Sequence, residues 1–587
     1  MIALRGWPPH AGVCSVALPP GWVLLLGALL LPLMPRRIRS AAFLVFPILA
    51  LALLSQVPDG KGLSVAFMNY ELVLCQANRL SRVFGAIFGL IAFIGGLYAF
   101  HVRRTAERMA ALGYAGGALG VAFAGDYLTL FIHWEIMAIS STYLIWARET
   151  RESEAAGVRY LVVHLVGGVL MLAGILLRLH HTGSLLLTPL PPSTDLSSLL
   201  ILASVALNAA VPPLHAWLAD AYPKASVTGA VFMSALTTKS AVYVLARVFP
   251  GWEVLTLFGV AMALYGVFYA VLANDIREIL AYHIISQVGY MVAGVGMGTP
   301  MALNGATAHA FCHILYKALL FMGAGAVLHT TGRSKLTELG GLARAMPWAL
   351  ALYMIGAFSI SGFPLFNGFI SKSMVVAAAA VAHRDTVVLL LNLASIGTFL
   401  SIGVKLPHST WFGPPRGIQP GPTPMGMFLG MGLAAACCIL LGVAPSLLYQ
   451  HLPYPAHFKP YTPAHLVETA QLLLFTFFGF WMFRRYLAGE PTVTLDTDWF
   501  YRGPARVVCG VLVVSVDRAF DLFDRWALLI VRALAAFARN PLRLLPPFAS
   551  DTDYSPDRCR PSTQRLLACV LLAFVLLSLW GLYRLAL

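Results

Sequence analysis

The sequence predicts an all-α polytopic membrane protein, and three observations carry that reading. Of 587 residues, 59% are hydrophobic and only 11% are charged, where a soluble globular chain has roughly 45–50% and 25%. Mean hydropathy is +0.77. Apolar runs recur from end to end, most of them near the ~20 residues that a helix needs to cross a ~30 Å hydrocarbon core. The formal charge of +15 does not point to nucleic acid, because the basic residues stand in short clusters between apolar runs and form no single patch. Loop topology in a bilayer accounts for them.

In chain order the runs place spans at 21–35, 40–57, 81–100, 109–125, 127–147, 158–179, 198–222, 226–249, 253–273, 276–298, 301–330, 348–383, 386–406, 426–448, 467–487 and 564–586. The first is read as a retained helix, since Arg36, Arg37 and Arg39 follow it, whereas a signal peptide carries its charges in front. Connections after odd-numbered spans hold Arg36, Arg37, Arg39, Arg103, Arg104, Arg108, Arg148, Arg151, Lys224, Arg277, Arg333, Lys335, Arg344, Arg416, Arg484 and Arg485. The positive-inside rule puts these in the cytoplasm and the N-terminus outside. Lys61, Arg79, Arg82, Arg178 and Arg384 run against the bias without reversing it. A bacterial-type cytoplasmic membrane is the expected location.

Two spans are too long and too interrupted for straight helices. Pro212 and Pro213 break the seventh, and Gly362 and Pro364 break the twelfth; proline lacks the backbone donor a helix requires. A break in lipid is tolerated only against protein or a water-filled cavity. The breaks echo each other, Pro213-Leu214 with Trp217-Leu218 and Pro364-Leu365 with Gly368-Phe369. Since one span runs inward and the other outward, the echo fits an inverted repeat with a transport path near the breaks. A packed proline kink is the plainer alternative.

Ionisable side chains inside spans cost at least ~2.5–3.5 kcal/mol each, so each asks for a partner or a use. Glu135 is mid-span; it is either a relay group or a protonated acid bonded to a neighbouring helix. Lys239 lies too deep to snorkel, and is a relay group or half of a salt bridge. His309, His313 and Lys317 recur every four residues, which stacks them on one helix face, where titrating imidazoles and a buried amine can pass protons through bridging waters. Lys372, eight residues after Pro364, is a gate at the end of the path or an interfacial lysine. His283 joins Lys239 to the ladder or simply packs. His133, His164 and His215 are weaker candidates. The eight cysteines, Cys14, Cys75, Cys312, Cys437, Cys438, Cys509, Cys559 and Cys569, show no metal-ligand spacing, so no metal site is expected. No nicotinamide, flavin or cluster motif occurs either, and no cofactor is expected.

The blocks His133-Trp-Glu-Ile-Met-Ala, Ala209-Ala-Val-Pro-Pro-Leu-His-Ala-Trp-Leu-Ala-Asp-Ala221, Leu280-Ala-Tyr-His-Ile-Ile-Ser-Gln-Val-Gly-Tyr-Met291 and the ladder segment resemble the antiporter-like proton-translocating membrane subunits of respiratory complex I and of Mrp-type sodium/proton antiporters. The wording around Ala221–Gly229 and Phe363–Lys372 looks most like the D-type subunit of the Mrp antiporters. The resemblance implies about 14 core transmembrane helices with two inverted five-helix repeats and broken helices 7 and 12. It makes Glu135 the fifth-helix glutamate, Lys239 the eighth-helix lysine, His309, His313 and Lys317 the central relay, and Lys372 the twelfth-helix terminal group. One departure stands out: Asn208 occupies the place of the family's seventh-helix lysine. Either Lys239 then partners Glu135 directly, or this half conducts differently or not at all.

The expected organisation is residues 1–108 for helices 1–3, 109–249 and 250–410 for the two repeats, 411–490 for helices 14 and 15, and 491–587 for a C-terminal amphipathic helix and last anchor. The amphipathic stretch is Val507 to Arg539, with Asp517, Asp521, Asp524 and Arg532 on one face, and it resembles a lateral helix in layout only. The leading functional expectation is a proton-translocating subunit of a multisubunit sodium/proton antiporter. A proton-pumping subunit of complex I (NADH-quinone oxidoreductase) or of a membrane-bound hydrogenase is the alternative, with redox centres in other subunits. An inactive scaffold is the third. Expected partners are other membrane subunits, protons, sodium and the bilayer, with no nucleic acid.

Overall fold

A computed structural model describes residues 18–484, 486–487, 496–541, 555 and 561–586. Arg485, Cys14 and Cys559 lie outside the described residues. The chain divides into two units, Met1–Asp498 and Trp499–Leu587.

The first unit is helical apart from one small excursion. It comprises α1 (Pro20–Leu30), α2 (Arg39–Leu54), α3 (Arg79–Tyr98), α4 (Thr105–Phe123), α5 (Tyr127–Trp146), α6 (Arg151–Thr182), α7 (Leu196–Asn208), α8 (Ala216–Ala221), α9 (Gly229–Ala235), α10 (Thr237–Val248), α11 (Glu253–Leu272), α12 (Ile276–Met297), α13 (Pro300–Thr331), α14 (Pro347–Ser361), α15 (Asn367–Val381), α16 (Asp385–Thr398), α17 (Met425–Val443), α18 (Ser446–Tyr449) and α19 (Pro463–Phe483). The helix α16 continues as wider π turns to Phe412. Every predicted span is helical, and the breaks fall between α7 and α8 and between α14 and α15.

Boundaries follow the capping chemistry. Asn78 and Thr150 form capping boxes with Ser81 and Ser153, and Asp126, Asp195, Asp275 and Thr299 cap the next helices through their side-chain oxygens; each satisfies a donor that the first helical turn leaves open. The sixth helix starts at Arg151, earlier than the expected 158, because Arg151, Glu152 and Glu154 interrupt apolar periodicity without interrupting the helix. Residues 60–77, read only as an outside connection, form two short antiparallel strand pairs, Gly60–Lys61 with Gln76–Ala77 and Ser64–Phe67 with Tyr70–Val73.

The inverted repeat is visible in matched details. Both α6 and α13 have 32 residues, and both stop on a left-handed glycine, Gly183 (φ 65°) and Gly332 (φ 69°). Beyond each stop the chain bridges back to the aspartate that caps the preceding helix pair, Leu186 to Asp126 and Lys335 to Asp275. Five spans separate equivalent helices, an odd number, so the two repeats cross the bundle in opposite directions. Residues of α12 and α13 are almost all buried, while fewer than half of those in α6, α16 and α17 are; the centre of the unit lies on α12 and α13.

In the second unit, α20 (Asp498–Arg502) leads into α21 (Pro504–Arg539), the amphipathic helix, and the last helix is α22 (Thr563–Ala586). The amphipathic helix has 36 residues.

Candidate functional site

In the first repeat, Glu135 on α5 is half-buried, and its Oε1 has no hydrogen-bond partner among the described residues. The carboxylate lies against α6 at Gly168, where a Cβ would come within 2.1 Å of Oε1. A side chain there would push the carboxylate aside. Asn208, in the last turn of α7, faces the adjacent Gly167, 3.5 Å from its Cβ position, and donates to the Ser204 carbonyl at 3.3 Å. The glutamate and the residue that departs from the family lysine therefore address neighbouring glycines of one helix. His164, one turn earlier on α6, stacks on Tyr160 at 3.9 Å and meets Trp217 edge-on. A cavity of about 10 Å³ lined by Trp134, His164, Asn208 and Thr237 has room for roughly one water. His133 is placed differently: its Nδ1 sits 2.8 Å from the Thr129 carbonyl and its ring fills the space over Gly120, a packing role.

The first break is sealed by neutral groups. Pro212 and Pro213 cannot donate to the Asn208 and Ala209 carbonyls one turn before them; the indole of Trp217 donates to the neighbouring Leu207 carbonyl at 2.9 Å, which also accepts from the Ala210 N–H. The carbonyl of Pro213 accepts from Thr497 at 3.4 Å.

Lys239 is fully buried, and no carboxylate lies within ion-pair distance of it among the described residues. The alternative reading, a salt bridge to Glu135 or another carboxylate, has no counterpart there. Its ammonium donates instead to the Ser234 carbonyl, across an interruption at Leu236 (φ −102°, ψ −64°) that splits the eighth span into α9 and α10. Sequence reading missed this interruption, since Ala235-Leu-Thr-Thr contains neither glycine nor proline. It also missed a row of buried hydroxyls: Ser141 contacts Tyr160 at 2.9 Å, Tyr160 reaches Thr237 at 3.5 Å, and Thr237 contacts Tyr114. Polar residues spaced four apart on α6, Tyr160 and His164, were the available signal.

In the second repeat the ladder has the expected form. His309, His313 and Lys317 are fully buried on one side of α13, and the first two rings are 6.2 Å apart. His309 contacts Ser371 at 3.0 Å and Tyr316 at 3.4 Å. Both ring nitrogens of His313 and the Lys317 ammonium have no hydrogen-bond partner among the described residues. Buried groups of this kind are nearly always satisfied by water when protein does not do it. His283 contacts Ser401, on the wide-turn segment after α16. It joins helices without touching Lys239.

Lys372 is buried rather than interfacial, and it sits where the second break needs a donor. Pro364 cannot bond the Ile360 carbonyl, and Lys372 donates to that carbonyl at 3.0 Å and to Ser395 at 3.3 Å, over the Tyr290 ring. Gly362 (φ 77°) makes the turn. Beyond the ammonium opens a cavity of about 150 Å³ lined also by Asn392, His465 and Glu468. No group of three His, Cys, Asp or Glu side chains suited to a metal occurs among the described residues.

Comparison with known proteins follows the same lines. The family model described as NADH:quinone oxidoreductase/Mrp antiporter, TM, matches residues 124–401, which covers both breaks and the ladder. The chain is 30% identical to the D-type subunit of the Na(+)/H(+) antiporter of Alkalihalophilus pseudofirmus, over 57% of its own length and 72% of that protein. It is 27% identical to hydrogenase-4 component B of Escherichia coli, over 68% of this chain and 66% of that one. A chain in the Mrp complex of Dietzia sp. DQ12-45-1b superposes with a TM-score of 0.65 at 23% identity, covering 78% of this chain and 99% of that one; that likeness is one of fold. The protein is thus an antiporter-like, multi-pass membrane subunit, and it belongs to the NADH:quinone oxidoreductase/Mrp antiporter transmembrane family.

Proposed function

We propose that the chain is a proton-translocating subunit, of the D type, in a multisubunit Mrp-type sodium/proton antiporter. Protons move along Glu135, Lys239, His283, His309, His313, Lys317 and Lys372, residues 109–249 and 250–410 serving as the two half-channels. The supporting observation is the pair His313 and Lys317, fully buried with open polar atoms in the centre of the bundle. Titratable groups that no protein group satisfies are costly unless water and exchanged protons serve them. Buried lysines at Lys239 and Lys372 stand on other helices to either side in sequence, so protonation at one alters the others through their mutual charge. The basic connections face the cytoplasm and the N-terminus lies outside, in a bacterial-type inner membrane, with other membrane subunits as partners.

The likeness to a hydrogenase component supports a second reading, a pump component powered by electron transfer in other subunits. Purifying the intact assembly and identifying its subunits separates the two: small antiporter-type membrane subunits support the first, cluster-binding peripheral subunits the second. Proton transport in sealed vesicles tests both against an inert scaffold. Transport by Lys317→Ala at the parent rate removes the relay.

A further inference from the structure

A second cluster of titratable side chains lies outside the row just described. Asp496, in the segment that follows α19, is nearly buried in the first unit. Its carboxylate stands 3.2 Å from Nε2 of His215, the fully buried residue that follows the first break. Tyr282 of α12 donates to the other carboxylate oxygen at 2.7 Å, and Tyr265 of α11 donates to the first. The next residue, Thr497, donates to the Pro213 carbonyl inside the break. The His215 ring lies edge-on to Tyr265, which stacks on Tyr269, which stacks on Tyr282. Glu278 is the further charged group near Tyr282.

An aspartate is an expensive anchor for a connecting segment. Burying a carboxylate is unfavourable unless a cation and donors compensate it, and an aliphatic residue or an amide would hold the segment at lower cost. Here the groups within reach are the His215 imidazole at 3.2 Å and the hydroxyls of Tyr265 and Tyr282.

We propose that Asp496 and His215 form the proton-loading site of the first repeat, a protonatable carboxylate–imidazole pair set against the helix break and completed by a segment beyond the core helices. The proposal rests on the proton-translocation reading. Burial alone raises the Asp496 carboxyl, but His215 and the hydroxyls of Tyr265 and Tyr282 outweigh it and hold the carboxyl below the usual range.

The test uses the intact complex in two arms, a carboxyl-region infrared titration and the pH profile of transport in sealed vesicles. Replacing His215→Gln removes the imidazole and leaves the burial, so the band absent in Asp496→Asn should protonate about one to three pH units higher. The transport profile should move to higher pH with it, and Asp496→Glu should retain activity. Tyr282→Phe, which removes one donor, gives a smaller shift of the same sign and serves where Asp496→Asn fails to assemble. Identical titration in the parent and His215→Gln overturns the pair. A shifted titration with an unshifted transport profile also overturns the proposal, because Asp496 is then only an anchor. If the parent complex moves no protons, the translocation reading fails, and the infrared arm still decides the pair.

Discussion

The two long helices α6 and α13 are the same device carrying opposite chemistry. Counted from their starts they match residue for residue: Tyr160 stands where His309 does, His164 where His313 does, and Gly168 where Lys317 does. In the second repeat this row is imidazole, imidazole, ammonium. In the first it is phenol, imidazole and an empty place, and into that place the Glu135 carboxylate projects from α5. The breaks differ in the same sense. The second is capped by a cation, Lys372 on Ile360; the first is capped by the neutral indole of Trp217, and its nearest carboxylate, Asp496, comes from outside the repeat. The two repeats share backbone geometry at these positions and differ in charge where Gly168 leaves room that Lys317 fills.

The largest expected effect is at the position where the repeats differ most. Lys317→Ala should lower proton transport by about 10²-fold or more while the complex still assembles, the scale of a lost proton-transfer group. Lys317→Arg should be no better, because guanidinium does not release its proton at working pH. Parent-like transport by either variant in sealed vesicles would place Lys317 outside the path.

The breaks provide a direct contrast. Lys372→Met leaves the Ile360 carbonyl buried without its donor, at about 1–3 kcal/mol, and should lower both thermal stability and transport. Trp217→Phe removes a neutral hydrogen bond of about 1 kcal/mol at the first break and should affect stability alone. Equal transport losses in the two variants would mean that the caps act in the same way.

Gly168→Ala tests the empty place itself. Its Cβ would overlap Glu135 Oε1, the mobile end of a flexible side chain, so the carboxylate must swing aside at little cost in stability. Transport should fall while thermal unfolding of the purified complex changes little, and Glu135→Ala introduced with it should add no further loss of transport. Independent, additive effects would show that the glycine and the glutamate are not coupled.

The smallest effect is expected from acid. The Asp496 carboxyl is held below its ordinary range, so its stabilisation is present at neutral pH and is lost as pH falls toward the folded-state value. The stability margin of the parent over Asp496→Asn should begin to narrow below about pH 4. A margin that is unchanged on acidification would show that the carboxylate contributes nothing as an anion.

Most of the scaffold was legible because its causes are local. Apolar length marked the spans, Pro212, Pro213, Gly362 and Pro364 marked the breaks, and four-residue spacing put His309, His313 and Lys317 on one face. Local patterns were silent where backbone geometry decides a contact. Lys239 was read as a relay group or half of a salt bridge, and its ammonium binds a carbonyl across the interruption at Leu236, which no glycine or proline announces. The short strand pairs of residues 60–77 lie between two apolar spans without a long apolar run of their own, and they depend on antiparallel backbone pairing.

By itself, then, the sequence determined that this chain is a membrane bundle with two broken spans and a ladder of buried titratable groups, because hydropathy, proline chemistry and helical periodicity act within a few turns of chain. Only the tertiary structure decided which groups meet: Glu135 with Gly168, Lys372 with the carbonyl that Pro364 cannot bond, and Asp496 with His215. Such pairings join residues tens to hundreds of positions apart. They are set by how helices pack, and a single chain's local pattern carries no record of the partner.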